Sequence, residues 1–409
     1  MQLDHAHDET PGVLPLAGLV VAEFSHTIMG PTCGLVLADL GAEVIRIEPM
    51  PGGDPTRQLP GFASGFFTFY NRNKKHLSLD LKSPHGKAVA VRLLERSDAL
   101  IENFAPGTME RLGFGYADAS RINSKLVYCS LKGFLSGPYE HRVALDEVVQ
   151  MMGGLAYMTG PPGTPLRAGA SVIDILGGTF GAVAILAALR ERERTGKGQL
   201  VESALFESVA FLMGQHMAAA AILKHDVPPF PARLGAWGIY DLFVSRDGVQ
   251  VFIGITTDRT WERFCAEFAR ADLFADVRLR SNSDRVAERE WLRPEIGRII
   301  EGLDVADVTL RCERAGVPFA LVGKPEDLFT DPHMLEGGRL LPTRSPEDEM
   351  IPLPQLPMAM DGRSFGLRSQ PSKPGENGAE VLQWLGYRTD EIADLVRDGV
   401  TILEEGAGS

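Results

Sequence analysis

The stretch Leu19 to Ile47, LVVAEFSHTIMGPTCGLVLADLGAEVIRI, decides the fold class. Its first six residues, Leu19 to Phe24, are mostly apolar and β-prone, and they end at the polar loop Ser25-His26-Thr27. Gly30-Pro31 opens a helical run from Thr32 to Leu40, which Gly41 stops. Glu43 to Ile47 then reads as a second strand. Strand, helix and strand at this spacing begin a doubly wound, Rossmann-like α/β fold, since parallel strands need a crossover helix between them. The pattern recurs. Leu77 to Asp80 reads as a strand, Gly86 to Arg96 as an amphipathic helix, and Ala99 to Glu102 and Leu126 to Leu131 as further strands. Gly177 to Arg194 reads as a long helix. Its apolar, small-residue body gives way to the charged end Arg190 to Arg194, with Gly196 as the stop.

Working outward, 409 residues are too many for one ordinary domain. The composition changes near residue 226, where Asp226 to Pro231 (DVPPFP) reads as a linker. Residues 1–225 are expected to form the first part of a large α/β domain, and 226–325 a smaller α+β domain. In the smaller domain Trp237 to Val244 and Val249 to Ile255 form a hairpin around Arg246-Asp247-Gly248. Residues 326–409 are expected to return to the large domain through a Pro/Gly-rich stretch, Pro342 to Gly378, and a helix near Asp390 to Arg397.

A net charge of −13 argues against nucleic acid as a partner, so an anionic ligand would need a local cluster of basic groups. The four cysteines, Cys33, Cys129, Cys265 and Cys312, are scattered without a CxxC pair. That speaks against zinc and against a disulfide framework, and fits a reducing cytoplasm. The N-terminal residues lack the basic start and apolar run of a signal peptide, and the apolar stretch Gly177 to Leu189 is short for a bilayer span. The expectation is a cytoplasmic protein with no membrane partner.

A set of short motifs runs in order along nearly the whole chain. It includes Phe24 to Pro31, Asp39-Leu40-Gly41-Ala42-Glu43-Val44, Gly53-Asp54-Pro55, Asn71-Arg72-Asn73-Lys74-Lys75, Leu79-Asp80-Leu81-Lys82 and Glu102-Asn103-Phe104. It continues through Ser130-Leu131-Lys132-Gly133, Gly137-Pro138, the Asp146 segment, Gly153-Gly154, Arg194 to Gln199 and Gly316-Val317-Pro318. Each motif alone is weak, but the ordered set resembles the class III CoA-transferases, the family of formyl-CoA and carnitine CoA-transferases. The resemblance implies an interlocked, ring-shaped homodimer. It implies acyl-CoA and a carboxylic acid as substrates, with no metal and no permanently bound cofactor.

By its position in the motif, Asp146 is the nucleophile that the resemblance implies. It would form an anhydride and then an aspartyl-CoA thioester, dividing one hard exchange into easier steps. The apolar neighbours Leu145, Val148 and Val149 suit the exclusion of water, and Gly153 and Gly154 could offer backbone N–H groups to an oxyanion. Without the resemblance, Asp146 before Glu147 reads as a helix N-cap, and both readings can hold together. The resemblance also carries over His26, Lys74, Lys75, Asn103, Phe104, Arg111 and Lys132 as candidates for holding CoA, with Phe104 stacking on adenine. The bland alternative makes Arg72, Lys74 and Lys75 a solvated face and His26 structural.

Two rival functions share this frame. The α-methylacyl-CoA racemases place a His before the aspartate and use a second Asp before glycines. Here Leu145 precedes Asp146 and cannot carry a proton, while Asp174 stands near the second position and reads as a cap or a buried structural carboxylate. A non-catalytic acyl-CoA-binding protein is the other rival. The small domain lacks the run of glycines seen in formyl-CoA:oxalate transferases. That makes a longer dicarboxylate acceptor, with succinyl-CoA as donor, the better expectation. Arg167 and Arg233 are the candidates to pair with its distal carboxylate.

Overall fold

The computed structural model describes residues 13–232 and 235–404. Six strands, β1 (Val20–Phe24), β2 (Glu43–Glu48), β3 (Lys74–Ser78), β4 (Ala99–Glu102), β5 (Val127–Lys132) and β6 (Leu200–Ala204), form one sheet. Their order is β3-β2-β1-β4-β5-β6 and every neighbouring pair is parallel. This is the doubly wound order, with its switch point between β1 and β4.

The helices of this part are α1 (Met29–Asp39), α2 (Phe66–Tyr70), α3 (Pro84–Arg96), α4 (Thr108–Leu112), α5 (Tyr116–Ile122), α6 (Asp146–Met152), α7 (Leu155–Thr159), α8 (Val172–Thr195), α9 (Leu205–Leu212) and α10 (Gly214–Leu223). Successive strand side chains alternate between the two faces of the sheet. Val21, Val44 and Cys129 pack with Cys33 and Leu37 of α1 and Ile185 of α8. Ala22, Ile45 and Leu77 point the other way, against Leu93 of α3 and Leu382 of the C-terminal helix Gly378–Trp384. The C-terminal return therefore completes the second face.

Helix α8 is longer than the apolar stretch that announced it. At 24 residues it is long and apolar enough, by length and composition, to cross a bilayer. Its small-residue side is instead packed on α1 and β5. A Cβ on Gly178 would lie 2.4 Å from the Met29 carbonyl oxygen, and one on Gly181 would lie 2.6 Å from Leu131 Cδ2. These glycines let α8 approach the sheet layer closely, and that approach sets where the N-terminus of α8 lies.

The chain divides into two compact units, Met1–Phe230 with Leu335–Ser409, and Pro231–Met334. The second unit holds an antiparallel sheet of β7 (Ile239–Val244), β8 (Gln250–Ile255) and β9 (Phe319–Leu321), in the order β7-β8-β9. Its core is built around Trp261, Phe264, Ile296 and Val308. The turn between β7 and β8 places Gly248 at φ +79°, a conformation that favours glycine. The Pro-rich tail holds an element that composition concealed, the hairpin β10 (Leu340–Arg344) and β11 (Met350–Pro354). Pro342 and Pro352 face each other across it, which a two-stranded ribbon tolerates because every strand in it is an edge. Arg233 lies outside the described residues.

Candidate active site

The C-terminal ends of β1, β4 and β5 open onto a cavity of about 700 Å³, within the usual size of a ligand pocket. A second, polar cavity of about 440 Å³ lies around Asp98 and Arg192, beside the N-terminal ends of β4 and β5. Doubly wound sheets bind ligands at the carboxyl ends, which favours the first cavity.

Two loops are clamped together at its mouth. The His26 N–H donates to Asn103 Oδ1 (2.9 Å), and Asn103 Nδ2 donates to the His26 carbonyl (3.0 Å). The His26 ring stacks on Phe104 with centroids 5.6 Å apart. His26 opens to the cavity, yet the surrounding walls desolvate its ring and push its pKa down. Lys132, at the end of β5, lines the cavity and pairs with Glu202 at 2.5 Å. Arg111, on α4, is not among the residues that line the cavity; its guanidinium donates to the Thr108 hydroxyl (2.7 Å) and forms no ion pair among the described residues.

Asp146 is the first residue of α6 and is only 3% exposed. Its Oδ2 accepts the N–H groups of Ile173 (2.8 Å) and Asp174 (3.0 Å), in the first turn of α8. The residue preceding α8, Ser171, supplies no side-chain cap, so Asp146 caps that helix from a distance in sequence. It thus lies at the positive end of a 24-residue helix. Gln150 Nε2 donates to Oδ1, and Gln150 Oε1 is itself fixed by the Ala168 N–H (2.9 Å). A carboxylate has about four acceptor sites, so three such bonds leave one lone pair on Oδ1 for reaction. The expected capping role was right in kind, but the helix that is capped is α8 and not its own.

Asp174 also lines the cavity. It is not the cap of α8, because the cap position is Ser171. Burial first, then the charges of Asp146 and Glu147, push its carboxyl up to about 7. Glu102, at the end of β4, is pushed up by burial to about 6, although Ser130 and the Phe104 N–H donate to it. Neither acid stands out in the sequence as a perturbed group. Gln150 was also passed over, although its spacing of four residues from Asp146 places both on one helix face.

Besides Arg111, four of the sequence-derived candidates do not line the cavity. Lys74 is buried, with Nζ 2.9 Å from Glu23 Oε2 and 2.9 Å from the Pro31 carbonyl. Desolvation lowers its pKa to about 8, and its charge is used up inside the fold. Lys75 is held by Glu43 (2.8 Å) and Glu380 (2.7 Å), away from the cavity. Burial opposes its charge, but these two carboxylates outweigh that and raise its pKa. A Cβ on Gly153 would lie 2.2 Å from Val209 Cγ1, and the Gly153 N–H is bonded to the Val149 carbonyl (2.8 Å). Gly154 starts α7 at φ +86°. Neither glycine lines the cavity, so neither presents an N–H to it. Arg72 is no solvated residue either, since it is buried and paired with Asp39 at 2.7 Å. Of the apolar neighbours, Val149 is buried, but Leu145 is 62% exposed and Val148 is exposed as well. Arg167 lines the cavity but is paired with Glu147. No group of three His, Cys, Asp or Glu side chains placed to hold a metal ion occurs among the described residues.

Comparison with known proteins meets this geometry from outside. The profile of CoA-transferase family III matches residues 16–378. Succinyl-CoA:glutarate CoA-transferase of Mus musculus is 30% identical over 397 residues, covering 94% of this chain and 90% of the relative. Succinyl-CoA:mesaconate CoA-transferase of Haloarcula hispanica is 34% identical over 400 residues, covering 91% and 97%. Acetyl-CoA:oxalate CoA-transferase of Acetobacter aceti is 36% identical over 315 residues, covering 74% and 79%. Among solved structures, a CaiB/BaiF family protein from Brucella suis superposes with a TM-score of 0.80 at 29% identity, covering 91% of this chain and 99% of that one. A family match across most of the chain, together with relatives above 30% identity at nearly full length, places the protein: it is an enzyme of CoA-transferase family III.

Proposed function

We propose that the protein moves CoA from succinyl-CoA to a dicarboxylic acid, with Asp146 as the covalent carrier. The observation that carries this reading is a buried carboxylate at the N-terminus of α8, facing the cavity with one acceptor site free. Asp146 Oδ1 attacks the thioester carbonyl carbon, the C–S bond breaks, and an anhydride forms with release of CoA thiolate. The thiolate attacks the Asp146 carbonyl carbon, the anhydride C–O bond breaks, and the donor acid leaves as its carboxylate. The aspartyl-CoA thioester then meets the acceptor's carboxylate, and the two steps run in reverse. No proton is gained or lost. The bonds from Gln150, Ile173 and Asp174 hold the carboxylate in place, which is the positioning such chemistry needs. His26, Asn103, Phe104, Arg111 and Lys132 form the CoA-facing side in this reading.

The dicarboxylate assignment rests on the relatives that act on glutarate and mesaconate. The oxalate-using relative means that the missing glycine run does not exclude oxalate, so the acceptor screen includes it. Arg167 is engaged by Glu147, and an acceptor carboxylate would have to compete for it. An exposed apolar face on Val183, Phe211, Met217 and Ile222 supports a homodimer, and the interlocked ring of the family is the arrangement proposed. The four cysteines, all unpaired and buried, support a reducing compartment such as the cytoplasm.

One observation favours the racemase alternative: Asp174 has a carboxyl poised near neutrality beside Asp146. Against it, the position before Asp146 holds an exposed leucine. Incubation with succinyl-CoA and each acid in turn tests the proposal. Transfer to a new acid, without exchange of α-deuterium, supports it. Exchange without transfer supports racemisation, and binding without either supports a non-catalytic role.

A further inference from the structure

We infer that Arg142 sets the preference for dicarboxylic acids by pairing with the substrate carboxylate that does not react. This rests on the transferase reading above and names, for that site, the group that recognises the far end of the acid. Three permanent cations line the cavity: Lys132, Arg142 and Arg167. Lys132 is paired with Glu202 at 2.5 Å, and Arg167 with Glu147. Arg142 has no carboxylate partner and no side-chain hydrogen bond among the described residues. Its guanidinium lies over the ring of Tyr139, 4.9 Å from the centroid, and 5.8 Å from that of Phe134. An aromatic face holds a guanidinium without using its N–H groups, so the donors that a carboxylate needs stay free.

The chain from Tyr139 to Asp146 brings this charge to the reacting end of the cavity. Arg142 stands four residues before Asp146, and its N–H closes a turn on the Tyr139 carbonyl (2.8 Å). Ala144 then presses on the end of β5, since a Cβ on Gly133 would lie 2.6 Å from Ala144 Cβ. Tyr139 meets Phe134 and Phe206 edge to face, and the Phe206 N–H donates to the Gly133 carbonyl (3.0 Å). Phe134 follows β5 and Phe206 lies in the first turn of α9, after β6. Arg142 is thus held on the β5–β6 side of the cavity. The His26–Asn103 clamp and Phe104 lie at the ends of β1 and β4, on the other side. An acyl-CoA carries CoA on one side of its carbonyl and the acid's chain on the other. A cavity that takes CoA at β1 and β4 therefore leaves the β5 side for the chain and its terminal carboxylate.

Charge makes such a partner necessary. Six carboxyl side chains line the same cavity, so a second substrate carboxylate is repelled unless it meets a cation that no protein acid has already neutralised. The guanidinium fork also matches a carboxylate bidentately, which fixes the direction of the chain. Donor acid and acceptor acid occupy this place in turn, so one cation serves both halves of the exchange.

The test compares kcat/KM for glutarate with that for its monoamide as acceptors, and for succinyl-CoA with butyryl-CoA as donors. The wild type is expected to prefer the diacid and its thioester. Arg142→Gln should lose about 10- to 100-fold of both preferences, mainly through KM. Arg142→Lys keeps the charge without the fork and should recover part of the loss. A wild type without the preference, or a Gln variant that retains it, overturns the inference. So does an equal loss for succinyl-CoA and butyryl-CoA, which would put the guanidinium at a CoA phosphate. Calorimetric titration of glutarate in the presence of CoA gives a readout that needs no turnover. Weaker binding by Arg142→Gln than by the wild type is expected, and no difference between them overturns the inference even if the wild type transfers no CoA. Absence of transfer by the wild type is instead a failure of the proposed function.

Discussion

Asp146 does two things with one carboxylate: it caps α8 through Oδ2 and leaves Oδ1 able to react. The two roles separate by substitution. Asp146→Asn keeps an oxygen for the cap but removes the proposed nucleophile, so transfer should fall by about 10³-fold or more while the melting temperature stays close to wild type. Asp146→Ala should lose the same activity and, in addition, about 1–2 kcal/mol in urea unfolding, because two N–H groups of α8 lose their acceptor. Lys74 offers the converse experiment. Removing it leaves Glu23 buried beside Arg46 alone, so Lys74→Ala should cost about 3–5 kcal/mol of stability, with an unchanged KM for CoA thioesters in the folded enzyme. A raised KM at unchanged stability would return Lys74 to the ligand set. Arg111→Ala should raise the KM for the CoA thioester severalfold, less so at high salt, as expected for a cation facing phosphate. Asp146 was legible as a cavity residue because a motif marks it. The fate of Lys74 was not, since its partner lies 51 residues earlier on another strand and the sequence shows only a basic pair.

At the scale of elements, the alternation of apolar strands with helices was enough to read the parallel sheet, and β4 spans the residues expected of it. Strand β3 begins at Lys74, three residues before its apolar part, because buried or paired lysines do not look like strand residues until their acid partners are in place. Helices α6 and α7 are short and bounded by Gly153 and Gly154, too brief for a period to show. The length of α8 was underestimated for a related reason, as its first turn is capped by a residue that is not adjacent in sequence. That helix carries the site on its N-terminus, so its seating should control activity. A side chain at Gly178 would strike the Met29 carbonyl at 2.4 Å. Gly178→Val is expected to cost about 1–3 kcal/mol of stability and to lower kcat more than it raises KM, as measured by urea unfolding and steady-state kinetics.

Over the whole molecule, helix α10 has no buried residue, although it carries Met217, Ile222 and Leu223, and Phe211 on α9 is 72% exposed. Apolar surface of this kind marks an interface. Light scattering on the purified protein should report a dimer, and Phe211→Glu combined with Met217→Glu should shift it toward monomer. Charge over the whole chain is acidic, yet the proposed ligand is an anion, so recognition must rest on a few local cations such as Lys132 and Arg142, which line the cavity. Such local balance cannot be read from a net charge of −13. The central claim is that Asp146 carries the acyl-CoA chemistry, and mass spectrometry of the protein after brief incubation with succinyl-CoA tests it most directly. A CoA or succinyl adduct on the peptide containing Asp146, absent from Asp146→Asn, is the expected result. Transfer that proceeds at the wild-type rate in Asp146→Asn, with no adduct on that peptide, would contradict it.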